Sequence, residues 1–305
     1  QRFKPDVIWC LCLWDVSLAA ALLGYLLGIP VVTSVCGSDF YGHKGKILSR
    51  IRMKITCELS QLVATTSVKF REDVGNALQI KEKKQMTKHW GIKDNIFNLS
   101  KRPTATQGIK KELHIDLGRI LRDISFYKET LCALAKLKNS GVCFKATALM
   151  AGVQDYVVED FKNIVQELDL SDSVAVWPVI RDEVGLAAYF GSCDIALNMI
   201  QRDQLGSSLL EALACGACLI STALPQYMEL SSCGIQYLCV PIKPSADDIF
   251  KAITYARSSN LMSVAVQNKN FMLVRRHYSF ESNTQTMFQA FRSVAGSKNL
   301  ILKAL

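Results

Sequence analysis

Short apolar runs of strand length alternate with segments of helix length along almost the whole chain, and this rhythm limits the fold more than any other feature. The runs fall at 7–13, 31–35, 61–65, 118–122, 142–151, 173–179, 194–199, 218–223 and 235–241, and a further short one reaches Trp90-Gly91. Between them lie helical patterns at 16–27, 45–57, 67–78, 126–139, 157–169, 183–192, 207–215, 226–232 and 246–258. Two more, at 264–277 and 280–294, follow the last run. A strand apolar on both faces needs cover on both, so parallel strands joined by helical crossovers are the economical arrangement. Right-handed crossovers then wind such a series into a doubly wound sheet.

The polar stretch 98–112, with Pro103, Thr104, Thr106, Gln107 and Gly108, breaks the rhythm and predicts a linker. The expected fold class is therefore α/β with two facing Rossmann-like domains, the first incomplete. The expected boundaries are 1–100 for the first domain, 112–280 for the second, and 281–305 for a terminal helix that packs back toward the first. A chain of 305 residues, 50% hydrophobic and 21% charged, has enough apolar side chain for two cores.

Charge is unevenly placed. Residues 1–111 carry 18 Lys and Arg against 8 Asp and Glu, whereas the remainder carries 18 against 19. Lys44, Lys46, Arg50, Arg52 and Lys54 occur with no acid between them, and Lys81, Lys83, Lys84 and Lys88 with only Glu82. Such patches suit an anionic membrane surface, or they are simply solvated helix faces. No base-reading motif accompanies them, so nucleic acid is not an expected partner.

The run Val16–Ser38 is uncharged and long enough to raise a membrane span, but Gly28-Ile-Pro30 interrupts it and favours a buried helix, a turn and a buried strand. No secretory signal opens the chain. The eleven cysteines sit mostly inside apolar runs, where a thiol packs as a small hydrophobe. Cys215-Gly-Ala-Cys218 has the spacing of half a zinc site, yet no second ligand pair matches it, and its flanks read as a helix end entering a strand. Free thiols and a cytoplasmic setting are the expectation.

In an open parallel sheet, ligands sit at the carboxyl ends of the strands. That rule selects Gly37–Asp39, Arg122, Gly152, Pro178–Arg181 with Val179, and the loop from Met199 to Ser208. The last is the most informative. Residues 203–216 read Asp-Gln-Leu-Gly-Ser-Ser-Leu-Leu-Glu-Ala-Leu-Ala-Cys-Gly. Gly206, Ser207 and Ser208 open a helix, where backbone amides and the helix dipole favour an anion such as phosphate, with Leu209 following in the same turn. Glu211 comes within the next turn of a helix that is otherwise apolar, and a carboxylate there is suited to accept hydrogen bonds from sugar hydroxyls. Asp203 could do likewise from the loop. Arg122 and Lys128 supply the positive charge a diphosphate needs without a metal. Taken singly, a Gly-Ser helix start is an ordinary cap and Arg122 and Lys128 are ordinary surface charges; their joint order is what carries the inference.

These residues resemble the donor signature of the group 1 (family 4) retaining glycosyltransferases of the GT-B fold, which show Glu, seven residues, Glu; here the pair is Asp203 and Glu211. The resemblance extends to Lys4-Pro-Asp-Val-Ile8, Gly37-Ser38-Asp39, His89-Trp90-Gly91-Ile92 with Phe97, Met150-Ala151-Gly152, Gly234, and Val240-Pro241. It implies that Arg122 and Lys128 bind the donor diphosphate, that Glu211 binds the ribose and that Asp203 contacts the transferred hexose. Gly206, Ser207, Ser208, Leu209, Gly152 and Val179 join them on the donor side, and Gly37 and Asp39 lie on the acceptor side. Where many members carry His before Gly-x-Asp, this chain has Cys36, and where they often carry His after the second apolar strand, it has Trp9-Cys10-Leu11. The family's Gly-rich opening is expected to be missing before Gln1.

The resulting expectation is retaining transfer of a hexose from a nucleoside diphosphate sugar to a lipid-linked or polysaccharide acceptor, with no metal and no cofactor. The enzyme would be cytoplasmic, peripheral on the inner face of the membrane. Two rivals stay open. One is a sugar-nucleotide epimerase or phosphorylase on the same fold, for which no matching residue set is found; the other is a binding-only relative, motivated by Asp203, Cys36 and the absent opening.

Overall fold

The computed structural model describes residues 5–102, 112–118, 124–149, 153–177, 180 and 182–301, without the side chains of 297–301. Most of the expected linker lies outside these residues, as do Arg122, Gly152 and Val179. The chain divides into two compact units: Gln1–Gly91 with Arg202–Leu205 and Phe280–Leu305, and Ile92–Gln201 with Gly206–Ser279. Elements are numbered along the chain.

In the first unit, β1 (Ile8–Leu11), β2 (Val31–Ser34), β3 (Leu62–Thr65) and β4 (Gln85–Thr87) form a four-stranded parallel sheet in that order. The connections are α1 (Asp15–Leu27), a short α2 (Gly37–Tyr41) with α3 (Ile47–Leu59), and α4 (Val68–Leu78). One core gathers Leu13, Val35, Phe40, Met53, Val63, Phe70 and Leu78. Another joins Val32 and Ala64 of the sheet to Met287 of α12 (Phe280–Ile301), with Phe291 and Val294 packed on it. The last helix therefore supplies cover that buried parallel strands require.

Helix α1 differs from the expectation of a wholly buried helix. Only Ser17, Ala21 and Gly24 are buried, while Val16, Leu22, Leu23, Tyr25, Leu26 and Leu27 are exposed. Small residues three and four apart make the face that meets the sheet, so the long side chains are left on the other side. Gly24 is required there, because a Cβ would collide with Val31 Cγ2 and with the carbonyl of Ile29.

The second unit has a six-stranded parallel sheet in the order β10-β9-β8-β5-β6-β7. Its strands are β5 (Leu113–Asp116), β6 (Phe144–Leu149), β7 (Val174–Trp177), β8 (Ile195–Asn198), β9 (Cys218–Thr222) and β10 (Leu238–Val240). The helices are α5 (Tyr127–Asn139), α6 (Asp155–Glu167), α7 (Glu183–Ser192), α8 (Ser207–Ala214), α9 (Met228–Ser232), α10 (Ala246–Ser258) and α11 (Val264–Tyr278). One core runs through it, from Leu113, Ile115 and Leu117 to Leu134, Phe161, Ile195, Ile220 and Ile253. Strand β5 precedes the run expected at 118–122. His114 and Asp116 interrupt its hydrophobicity, yet Leu113, Ile115 and Leu117 point into the core and Asp116 is buried on its own hydrogen bonds.

The cysteines also depart in part from expectation: Cys10, Cys57, Cys193, Cys215 and Cys218 are buried, but Cys143 and Cys239 are exposed and Cys12 and Cys36 are partly exposed. Among the described residues no helix is long and apolar enough to cross a membrane.

A buried ion pair fastens the start of the second unit. Arg102 donates to Asp194 Oδ1 at 2.9 Å and to the carbonyls of Cys193 and Gly216, and the other oxygen of Asp194 accepts from His114 N. Asp194 is 1% exposed. Replacing Arg102 by Met strands that carboxylate, so the second unit should lose about 3 kcal/mol of stability; urea unfolding of wild type and variant measures it.

Candidate functional site

The sheet of the second unit reverses direction at β5. The chain proceeds outward through β6 and β7, then returns to lay β8 on the other side of β5 and continues to β9 and β10. At such a switch point the following connections diverge and leave a crevice between the carboxyl ends of two neighbouring strands. A cleft of about 210 Å³, partly open to solvent, occupies that place. Its lining includes Asp116 at the end of β5 and Gly118 beyond it, Asn198 at the end of β8, and Ser208, Leu209, Glu211 and Ala212 of α8. Leu149 from β6 and Ile180, Leu186 and Phe190 near α7 complete an apolar wall.

Each polar member is held by local structure. Gly118 has φ +60°, and a Cβ there would sit 2.6 Å from Leu197 O, so only glycine permits this close crossing. Helix α8 starts at Gly206, which is extended and brings no side chain to cap the first turn. Leu205, buried just before it, has φ +78°, an unfavourable conformation for a non-glycine residue that is held by its surroundings. Glu211 sits half-buried one turn in, on the face of α8 that lines the cleft, while Leu209, Leu210, Ala212 and Leu213 are buried. Asn198 Nδ2 donates to Tyr227 Oη at 2.7 Å and to Ser221 Oγ, which fixes the end of β8.

Asp116 was not foreseen in the site. Its Oδ1 accepts from Tyr189 Oη at 2.6 Å, and the Gly118 amide also bonds the carboxylate. Burial pushes its pKa up to about 6 against the pull of these two bonds. The same burial, with Asp116 beside it, drives the Tyr189 phenol well above its usual range, so Tyr189 remains a donor.

The structure thus brings Ser208, Leu209 and Glu211 together around one cleft, with Gly206 and Ser207 at the helix start beside them. Lys128 stands in the first turn of α5, exposed, with Nζ 3.2 Å from Asp160 Oδ2, and is not part of the lining. The Tyr127 hydroxyl and Lys128 together hold the Asp160 carboxyl below its usual value. Asp203 is half-buried and lies on the segment Arg202–Leu205, which packs with the first unit: Thr66 Oγ1 donates to Gln204 O at 2.6 Å. Gly37 opens α2, and a Cβ there would meet Gln204 Cβ at 3.3 Å. Asp39 is 1% exposed and turned inward, its Oδ2 accepting from Leu13 N at 2.5 Å and Cys36 N at 3.2 Å. Burial pushes this carboxyl, too, up to about 6.

The raised pKa of Asp116 has a stability consequence with a definite sign. The folded state holds this proton more tightly than the unfolded chain, whose carboxyl titrates near 4. The resulting stabilisation is fully present below about pH 4 and is lost as pH rises through about 6. Its size is on the order of 3 kcal/mol. Asp116→Asn should flatten the slope of unfolding free energy between pH 4 and 6, as followed by denaturant titration; an unchanged slope would show that Asp116 does not titrate there.

Residues 126–296, more than half of the chain, match the family described as glycosyl transferases group 1. No curated protein matches in sequence. Among solved structures, sucrose-phosphate synthase from Thermosynechococcus elongatus is similar with a TM-score of 0.76 and 15% identity, over 97% of this chain and 75% of that one. HepE from Anabaena, solved with UDP and glucose, has a TM-score of 0.76 and 14% identity, over 94% and 78%. A UDP-forming α,α-trehalose-phosphate synthase from Burkholderia xenovorans has 0.73 and 14%, over 96% and 75%. At these identities the likeness is one of fold, two parallel-sheet Rossmann-like domains of the GT-B type. The family match carries the assignment: this chain belongs to the group 1 glycosyl transferases and is a glycosyltransferase.

Proposed function

We propose that the enzyme moves a hexose from a nucleoside diphosphate sugar, with retention as in family 4, to a lipid-linked or polysaccharide acceptor. The observation that carries this reading is the shared wall of Glu211 and the first turn of α8 in the switch-point cleft. A cleft with an apolar wall and few polar groups suits a nucleoside. The α8 amides and helix dipole would take the diphosphate, and Glu211 the ribose hydroxyls. HepE has been solved with UDP-glucose, which makes that donor the first to try.

In this proposal Arg122 and Lys128 neutralise the departing diphosphate in place of a metal. Lys128 would exchange Asp160 for phosphate, which costs little because both partners are exposed. Asp203 would orient the hexose, Gly152 and Val179 would edge the donor, and Gly37 and Asp39 would shape the acceptor side. Asp39 would do so through the two turns whose amides it binds. No protein nucleophile is assigned. Glu211→Ala should weaken UDP-glucose binding about tenfold or more, roughly 1.4 kcal/mol, as measured by calorimetry. Affinities within about twofold of wild type for both Glu211→Ala and Arg122→Ala would contradict the assignment.

The first unit is proposed to rest on an anionic cytoplasmic membrane face. Helices α1 and α3 pack on each other and expose Leu26, Ile47, Leu48, Ile51 and Ile55, with Leu48 82% exposed. Lys44, Lys46, Arg50 and Lys54 stand exposed around α3. Apolar side chains that insert and cations that meet lipid phosphate are the two elements of an interfacial helix. Leu48→Glu with Ile51→Glu should abolish pelleting with phosphatidylglycerol vesicles, and salt should weaken wild-type pelleting. Pelleting indifferent to salt, to lipid charge and to both substitutions would remove this reading.

A further inference from the structure

We propose that Cys12, Cys36 and Asp39 form a binding site for one zinc-class divalent cation at the carboxyl ends of β1 and β2. The site lies in the first unit and shares no residue with the nucleotide cleft, so it stands or falls apart from the donor reading.

The parallel ladder creates the juxtaposition. Leu11 pairs with Ser34, and Cys12 N donates to Ser34 O at 2.8 Å, so Cys12 and Cys36 leave the same edge of the sheet side by side. Cys12 does so with φ +70°, an unfavourable conformation for a residue other than glycine. Helix α2 then brings Asp39 back beneath the pair, with Cys36 as its N-cap. One ligand atom from each of the three residues lies within 4.8 Å of the others. A tetrahedral zinc with Zn–S bonds of about 2.3 Å holds two sulfurs about 3.8 Å apart, so small side-chain adjustments close the set on an ion.

Asp39 supplies an independent indication. Its Oδ2 is occupied by two backbone amides, but its Oδ1 is buried and has no hydrogen-bond partner. A buried carboxylate oxygen left unpaired is costly, and a coordinated cation is one of the few partners that would offset the cost. Two sulfurs with one carboxylate select a zinc-like ion over magnesium or calcium, which take oxygen. Cys12 and Cys36 are partly exposed, which leaves a coordination position on the solvent side for water.

The test uses the full-length protein, reduced, treated with chelator and freed of it. Titration with cobalt should give the absorption bands of tetrahedral thiolate-bound cobalt, saturating at one ion per chain, and zinc should bleach them. Zinc affinity, from competition with a chelating dye, should fall more than about tenfold in Cys12→Ser, in Cys36→Ser and in Asp39→Asn. The Asn keeps an oxygen for the two amides, so this variant retains the turn while losing the charge. A Cys143→Ser, Cys239→Ser double variant, which alters the exposed thiols, should bind as wild type does. Absence of the thiolate bands, zinc affinity unmoved by the three site variants, or a Cys12–Cys36 disulfide that persists under cytoplasmic reducing conditions would overturn the proposal.

Discussion

A parallel β-ladder cannot turn back on itself, and most of what is distinctive in this protein follows from that constraint. Every strand pairing in both sheets is parallel, so each strand end must be followed by a crossover, and all carboxyl ends of a sheet collect on one edge. Polar residues near strand ends thereby meet groups far away in sequence. Asp116 at the end of β5 accepts from Tyr189 of α7, 73 residues on, and Thr66 just after β3 donates to Gln204 across 138. The switch-point cleft and the Cys12, Cys36, Asp39 cluster are two products of the same rule, one in each unit.

Buried carboxylates stand near strand termini in both sheets, and the protein settles each differently. Asp194 is ionically paired with Arg102 and accepts a backbone amide. Asp116 leans on a phenol and an amide and holds a raised pKa. Asp39 satisfies one oxygen with two amides and leaves the other without a partner. An ion pair is a fixed structural tie, whereas a carboxylate with residual need of a donor or cation is where a ligand gains most by arriving.

Much of this was legible in the sequence because the signals were local. The opening of α8 announces itself in Gly206-Ser-Ser ahead of an apolar helix, and Glu211 stands out as the single acid on that helix. The alternation of runs placed most crossover helices to within a few residues. What failed did so because it depends on distant partners. Residues 119–122 of the run at 118–122 lie outside the described residues, while β5 at Leu113–Asp116 carries no local apolar signal, because Asp116 is accommodated there by Tyr189 of α7, 73 residues away. Helix α1 was expected to be buried because its run is apolar all round, yet its packing uses the small residues Ser17, Ala21 and Gly24, which a hydrophobicity pattern ignores. Nothing in the sequence links Cys12 to Cys36, and only the β1–β2 register makes them neighbours. The positions of Arg122, Gly152 and Val179 fall outside the described residues.

The switch-point cleft of the second unit is proposed to hold a nucleoside diphosphate between Glu211 and the first turn of α8. Crystals grown with UDP test this directly. Ribose hydroxyls are expected within hydrogen-bond distance of the Glu211 carboxylate, and phosphate oxygens on the amides of Ser207 and Ser208. Nucleotide bound elsewhere, or bound in the cleft with Glu211 turned away and the α8 amides bare, would contradict it.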